Sequence, residues 1–199
     1  MDALSTLALI AGLGWASGVR LYAVLFFLGI LHHAGVLQLP PDLVLLAHPA
    51  IMVVSGLLFI TEFFADKIPG FDSLWDAVHT FIRIPGGALL AAAAVAHEDQ
   101  GLALAAGLLG GVFAAGAHFT KAGGRMLINA SPEPFSNWAA SFGEDALAIA
   151  VLWSAFKYPV LLLIGLVLFV VVVILLAPRL LRGVRNVFAA IRRVLGHPA

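Results

Sequence analysis

The sequence contains no cysteine and little charge: of its 199 residues, only 11% are Asp, Glu, Lys or Arg. The first absence excludes disulfides, thiolate metal sites and cysteine nucleophiles. The second excludes an ordinary soluble surface, which carries about 25% charged residues. The formal net charge is zero, so no basic field draws the chain to nucleic acid, and none is expected as a partner. A phosphate-cradling glycine loop, a nucleophile elbow and a zinc-protease helix are all missing. So is the alternation of a membrane barrel, because the apolar runs are continuous. Met1 to Ile10 lack the basic n-region of a cleavable signal peptide, and the first apolar segment is expected to be a retained span.

What is present is apolar: 62% of residues are hydrophobic and the mean hydropathy is +1.04. Lipid is the natural solvent for such a surplus, and the expected fold is an all-α integral membrane bundle. Six segments reach or approach the ~20 residues of a membrane-crossing helix. They run from about Leu4 to Leu31, Leu43 to Phe64, Leu74 to Ala96, Leu102 to Leu127, Phe135 to Phe156 and Val160 to Ala177. In the third, Pro85-Gly86-Gly87 interrupts the apolar run, and a broken or re-entrant helix is expected there; Ser17-Gly18 marks a second expected break.

Residues 1–178 read as the transmembrane domain and 179–199 as a basic amphipathic tail. In the tail Leu180, Val184, Val187, Phe188, Ile191 and Leu195 share a helical face, an arrangement suited to the anionic headgroups of an inner leaflet. Arg179, Arg182, Arg185, Arg192 and Arg193 place that end in the cytoplasm, and six spans place the N-terminus there too. Lys67, Lys121 and Arg125 then lie on the cytoplasmic side and Lys157 outside. Six short spans fit a homodimer. Gly12, Trp15-Ala16 and Gly18 are echoed at the same spacing by Gly110, Phe113-Ala114 and Gly116, the mark either of an inverted repeat or of close helix packing. Gly14-xxx-Gly18 and Gly107-xxx-Gly111 are close-packing patterns.

The polar residues within these segments carry the functional question. Arg20, Glu144 and Asp145 fall near the middle of spans, where each unpaired charge costs roughly 2.5–3.5 kcal/mol. They must pair, meet water or titrate. A salt bridge from Arg20 to Glu144 or Asp145 leaves one acid over for a cation or a proton. Asn137, Ser141 and Glu144, at i, i+4 and i+7, form one inward stripe.

The densest run is EFFADKIPGFDSLWDAVHTFIR, Glu62 to Arg83. Glu62 and Asp66 share a face; after Pro69-Gly70, so do Asp72, Asp76, His79 and Arg83. Such oxygen ligands with one imidazole suit a divalent cation, with Asp66, Asp72 and Asp76 as its ligands, or a proton relay. The plainer alternative is an interfacial helix whose charges face water. His118, Lys121 and Arg125 form another stripe, followed by Asn129 and Ser131-Pro132-Glu133-Pro134, placed either to neutralise the acids or to bind phospholipid headgroups. His32 and His33 read as solvated interfacial histidines.

EFFADKIPGFDSLWDAVHTFIR, with HFTKAGGRMLINASPEPFSNW and the following GED, resembles a bacterial membrane-protein family known as domain of unknown function 4126. The resemblance runs from about Leu4 to Leu176 and implies a multi-pass protein of the bacterial inner membrane, without implying an activity. Three functions fit the residues: a small transporter or channel for a cation or a proton-coupled solute, an Mg-dependent membrane enzyme acting on a lipid phosphate, or a non-catalytic scaffold. A transporter calls for a cavity reaching Glu144 or Asp145. An enzyme calls for acids converging at metal-ligand distance, and a scaffold for complete internal pairing without a cavity.

Overall fold

The computed structural model describes residues 2–68, 70–130 and 135–194, with side chains through Leu175 and those of Pro178 and Arg182. Pro69 and the Ser131–Pro134 turn lie outside the described residues, as do Leu195 and the side chains that make up the expected amphipathic face of the tail. Among the described residues every regular element is helical. These are α1 (Ala3–His33), a short 3-10 helix (Pro41–Ala47), α2 (Pro49–Ala65), α3 (Phe71–Ala93), α4 (Gln100–Ile128), α5 (Phe135–Lys157) and α6 (Pro159–Val194).

The helix starts follow from local chemistry. Asp2 accepts the Ser5 N–H at 2.7 Å, and that bond holds its carboxyl below the usual carboxylate range. Asp99 caps α4 through Leu102 N–H at 2.8 Å. His48 caps α2 through Ala50 N–H at 3.2 Å, with Pro49 in the first turn, where a missing N–H costs nothing. Gly70, at φ +83°, makes the turn into α3 that a side chain would resist.

By length and composition α1, α4 and α5 are apolar enough to cross a membrane, and the 3-10 helix with α2 forms a further candidate bent by 69°. The pattern of burial is that of a protein dissolved in lipid. On α3 the buried face is Asp72, Asp76, His79 and Arg83, while Leu74, Val78, Phe81 and Leu89 point outward. On α4, His118, Lys121 and Arg125 are buried while Leu104, Leu108, Val112 and Phe119 are exposed. In water this arrangement would be inside out; in hydrocarbon it puts apolar side chains on lipid and gathers the charges together. The alternative of an interfacial helix with its charges in water is excluded for α3.

α1 does not pass straight through the bundle. Its first half runs alongside α4 in the same direction. Ala3, Thr6 and Ile10 share a cleft with Glu98, Leu102 and Leu109, Gly14 lies against Gly110, and Gly18 against Ala114. At Arg20 the backbone leaves the helix (φ −146°, ψ 69°). The second half packs Leu21 on Gly86, Phe26 on Gly56, and Gly29 on Leu46 and Met52. Beyond its end, Leu39 N–H donates to His32 Nδ1 at 3.3 Å, and Asp42 faces His97 at 3.7 Å. His97 and Glu98 belong to the turn between α3 and α4, so both ends of α1 lie at that end of the bundle and Arg20 sits at the tip of a re-entrant hairpin.

The remaining helices alternate. α2 brings Glu62 and Asp66 up to Arg20. α3 returns antiparallel to α4, pairing Asn129 with Asp72 and His118 with Thr80. α5 descends from Ser141, beside Arg20, to Ala155, beside Gly12. α6 leads away again, with Leu162 at Gly12 and Phe169 edge-on to Trp15.

Several expectations are thereby corrected. The break expected near Ser17-Gly18 falls two residues on, at Arg20, and the first segment is the re-entrant element. The third helix runs unbroken through Pro85, held by Gly86 against Leu21 and Gly87 against Ala114, and the bend falls in the second segment at His48. α1 and α4 run parallel where an inverted repeat requires them opposed, so the shared glycine pattern is not the mark of one; Gly12, Gly18 and Gly110 sit in close contacts while Gly116 does not. With α1 folded back, the start of α1 and the far end of α6 lie at opposite ends of the bundle. α6 also continues through Pro178, where the tail was expected to separate from the last span. His32, expected in solvent, ties the end of α1 to its loop.

Candidate functional site

At the tip of α1 the polar residues of five helices meet. Arg20 donates through Nη1 to Asp66, through Nη2 to Ser141 O and Oγ at 3.2 and 3.1 Å, and lies 2.7 Å from Asp145 and 3.4 Å from Glu144. Arg83 binds Glu62 and, at 2.6 Å, Asp76. Lys121 stands between the two groups, 3.0 Å from Asp66, 3.4 Å from Asp76 and 3.5 Å from Glu144. It also donates to Val19 O at 3.4 Å, a carbonyl beside the break in α1. Arg125 grips Glu144 with two bonds of 2.8 Å and reaches Asp66 O and Asn137 at 3.0 and 3.1 Å. Lys67 donates to Ser141 Oγ at 3.2 Å and sits 3.0 Å from the centre of the Phe63 ring.

Asp72 does different work. Its Oδ1 accepts Gly70 N–H at 3.0 Å, Ser73 N–H at 2.7 Å and Asn129 Nδ2 at 2.7 Å, and Asn137 in turn donates to Asn129 at 2.6 Å. It pins the α2–α3 turn to the end of α4 and the start of α5. The two histidines are each held through both ring nitrogens. His79 Nδ1 donates to Trp75 O at 2.8 Å, and its Nε2 lies 3.1 Å from the Tyr22 hydroxyl. Thr80 gives its proton to Asp76 O, so His118 Nε2 donates to Thr80 Oγ1 at 2.7 Å and its Nδ1 faces Arg83 at 3.4 Å.

Arg20, Glu62, Asp66, Asp72 and Arg83 are wholly inaccessible. Lys67, Glu144 and Asp145 are partly exposed, the last two with side chains 17% and 13% accessible. Six carboxylates (Glu62, Asp66, Asp72, Asp76, Glu144, Asp145) meet five cations (Arg20, Lys67, Arg83, Lys121, Arg125), which leaves one negative charge over. Glu144 touches three cations, whereas among the described residues the one cation within ion-pair distance of Asp145 is Arg20. Oxygens of Glu62, Asp66, Asp72, Asp76 and Asp145 are buried without a hydrogen-bond donor.

All thirteen sequence-predicted site residues converge here: Arg20, Glu62, Asp66, Asp72, Asp76, His79, His118, Lys121, Arg125, Asn137, Ser141, Glu144 and Asp145. The expected metal set of Asp66, Asp72 and Asp76 is arranged otherwise, because Asp66 and Asp76 face Lys121 and the arginines while Asp72 faces backbone amides. Among the described residues no group of three or more His, Asp or Glu is placed to hold a metal ion. Tyr22 and Thr80 belong to the site without having been singled out; each lies within one helical turn of a predicted member (Arg20, Asp76).

A cavity of about 240 Å³ opens between α1, α4, α5 and α6 and is lined by Trp15, Val19, Lys121, Arg125, Glu144, Leu147 and Phe169 among others. It brings accessible space to Glu144. No curated protein and no solved structure matches the chain. The model of the family described as domain of unknown function DUF4126 matches residues 7–179. That stretch holds the whole network, and the chain belongs to this family.

Proposed function

We propose that the protein is a small membrane transporter in which the buried charge network couples passage of a solute to a proton or another cation. The observation that carries this reading is the imbalance of six carboxylates against five cations at the tip of a re-entrant helix, beside a cavity that reaches Glu144. A network serving only as glue has no need of an extra buried charge, whose cost is several kcal/mol unless a cation or proton offsets it. Asp145, the carboxylate with fewest partners, is the exchanging group. When it is neutralised, Arg20 is released toward Asp66 and Glu62, and Arg20 is also the hinge between the two halves of α1.

In the bilayer α2 to α6 make five passes and α1 enters and leaves on one side. The end that holds Lys67 and Arg125, from which the arginine-rich part of α6 continues, faces the cytoplasm and its anionic lipids; the N-terminus lies outside. The protein resides in a bacterial inner membrane. The acids of a lipid-phosphate enzyme would turn toward one another around Mg²⁺, and here they turn toward lysine and arginine.

Flux into proteoliposomes across a panel of ions and small solutes tests the reading. Wild type accumulates at least one species against its gradient, and Glu144→Gln and Asp145→Asn lose that accumulation. Equal flux in all three proteins for every species would contradict it.

A further inference from the structure

The Lys67 ammonium lies in a corner built of neutral groups. Its Nζ donates to Phe63 O at 3.1 Å and to Ser141 Oγ at 3.2 Å. It sits 3.0 Å from the centre of the Phe63 ring and 4.6 Å from that of Phe142, and the two rings meet edge to face with centres 5.7 Å apart. Two oxygens and two aromatic faces thus answer the N–H groups and the charge of one ammonium. Arg20, Arg83, Lys121 and Arg125 each have a carboxylate within ion-pair distance, whereas among the described residues Lys67 has none. Lys67 is also partly exposed, just past the end of α2, while those four cations are buried. Ser141 is wholly buried and accepts Arg20 at 3.1 Å through the same Oγ, so the corner adjoins the charge network.

We infer that this corner is a binding site for a primary ammonium group, the free ammonium ion or an alkylammonium, and that Lys67 is its tethered occupant. A divalent metal ion calls for carboxylates, and a quaternary ammonium brings no N–H for Ser141 Oγ and Phe63 O. Because Lys67 is held by neutral contacts at a partly exposed position, an ammonium from solution displaces it without breaking an ion pair. Asp145 stands one helical turn beyond Ser141 on α5, with Arg20 as its one ion-pair partner among the described residues. The displaced Lys67 turns to Asp145, and with the ligand counted six cations then face the six carboxylates. The inference names the cation that balances the network, and in that respect it rests on the transport reading.

Nuclear magnetic resonance of the full-length protein in detergent, with lysine isotope-labelled at Cε, tests it. The Lys67 signal is displaced upfield by the Phe63 ring current, and it is the signal that Lys67→Ala removes. Added methylammonium chloride moves it saturably to the position of a solvated lysine, and sodium chloride at the same concentration leaves it in place. Tetramethylammonium, which has the charge but no N–H, acts about tenfold more weakly. Radiolabelled methylammonium binds Lys67→Ala about tenfold more tightly than wild type, because the tethered competitor is gone. Phe142 is 52% exposed, so Phe142→Leu leaves the core alone and weakens binding about fivefold. Stronger displacement of Lys67 by ammonium chloride than by butylammonium chloride assigns the site to the free ion, and the reverse assigns it to an alkylamine; the primary ammonium class stands in each case. A Lys67 signal unmoved by methylammonium, equal action of tetramethylammonium, or no tighter binding in Lys67→Ala would overturn the inference. Binding is read without flux. A protein that binds methylammonium and moves nothing contradicts the transport reading alone, and one that accumulates a solute without binding methylammonium contradicts this inference alone.

Discussion

Arg20 and Asp66 are bonded to each other at the point where α1 turns back and α2 ends. The pair joins the tip of the re-entrant hairpin to the end of α2, and both side chains are wholly inaccessible. Arg20 is thus a hinge residue and the centre of the charge network at once.

Removing it should be costly. Arg20→Met leaves Asp66 and Asp145 without their guanidinium and lowers stability by about 3–5 kcal/mol, the usual penalty for breaking a buried pair. Arg20→Lys recovers only part, since one ammonium cannot serve Asp66, Asp145 and Ser141 together. Unfolding midpoints in detergent give the ranking, and an Arg20→Met protein as stable as wild type would remove the network from the account of the fold.

The folded-back course of α1 predicts which residues share a membrane face. The chain has no cysteine, so single-cysteine variants report cleanly. Val36→Cys and Glu98→Cys should be labelled by an impermeant maleimide from the outside of intact cells, and Ile68→Cys and Ala130→Cys only after the membrane is opened. A straight first span would also leave Val36 and Glu98 outside but would carry Ala3 to the cytoplasmic face, so Ala3→Cys, labelled from outside when α1 folds back and only after opening the membrane when it does not, decides between the two.

That the site was legible and the path of α1 was not has a physical basis. An ionised residue in an apolar segment declares itself, because the energy of leaving it unpaired is large whatever the topology; hence Arg20, Glu144 and Asp145 were visible, and the i, i+4, i+7 spacing of Asp72, Asp76 and His79 gave their common face. Hydropathy, by contrast, measures length and composition but not direction. Ala3 to His33 is long enough to cross once, and although Ser17-Gly18 marked a break close to Arg20, a break alone does not distinguish a kinked crossing from two half-depth helices. Pro85 misled in the opposite sense: a proline removes one hydrogen bond, and packing of Gly86 and Gly87 against α1 and α4 keeps the helix continuous.

The glycines of α1 and α4 divide into those in the contact between the two helices and those outside it. A Cβ at Gly14 would lie 2.7 Å from Gly110 Cα, and one at Gly18 would lie 2.9 Å from Ala114 Cα, both backbone atoms. Gly14→Val and Gly18→Val therefore force the helices apart and should yield little folded protein by size-exclusion chromatography. Gly116 and Gly123 meet nothing within 4 Å, and Gly116→Ala and Gly123→Ala should be neutral or stabilise by about 0.5–1 kcal/mol. Equal tolerance in the two classes would refute the parallel packing of α1 on α4.

Asp72 is a structural acid at the edge of the charge network, bonded to backbone amides and Asn129. Asp72→Ala strips acceptors from Gly70, Ser73 and Asn129 and should destabilise by about 2–3 kcal/mol. Asp72→Asn keeps one acceptor oxygen and should cost less than half as much, with transport retained. Loss of transport in a stable Asp72→Asn protein would place Asp72 in the coupling step.

The most direct test of the coupling role concerns Asp145. For whichever species wild type transports, two assays in proteoliposomes are compared: accumulation against a gradient driven by an imposed pH or cation gradient, and exchange of labelled for unlabelled species at equilibrium. The account predicts that Asp145→Asn abolishes driven accumulation while exchange persists within a few-fold of wild type. Driven accumulation surviving in Asp145→Asn at the wild-type level would contradict it.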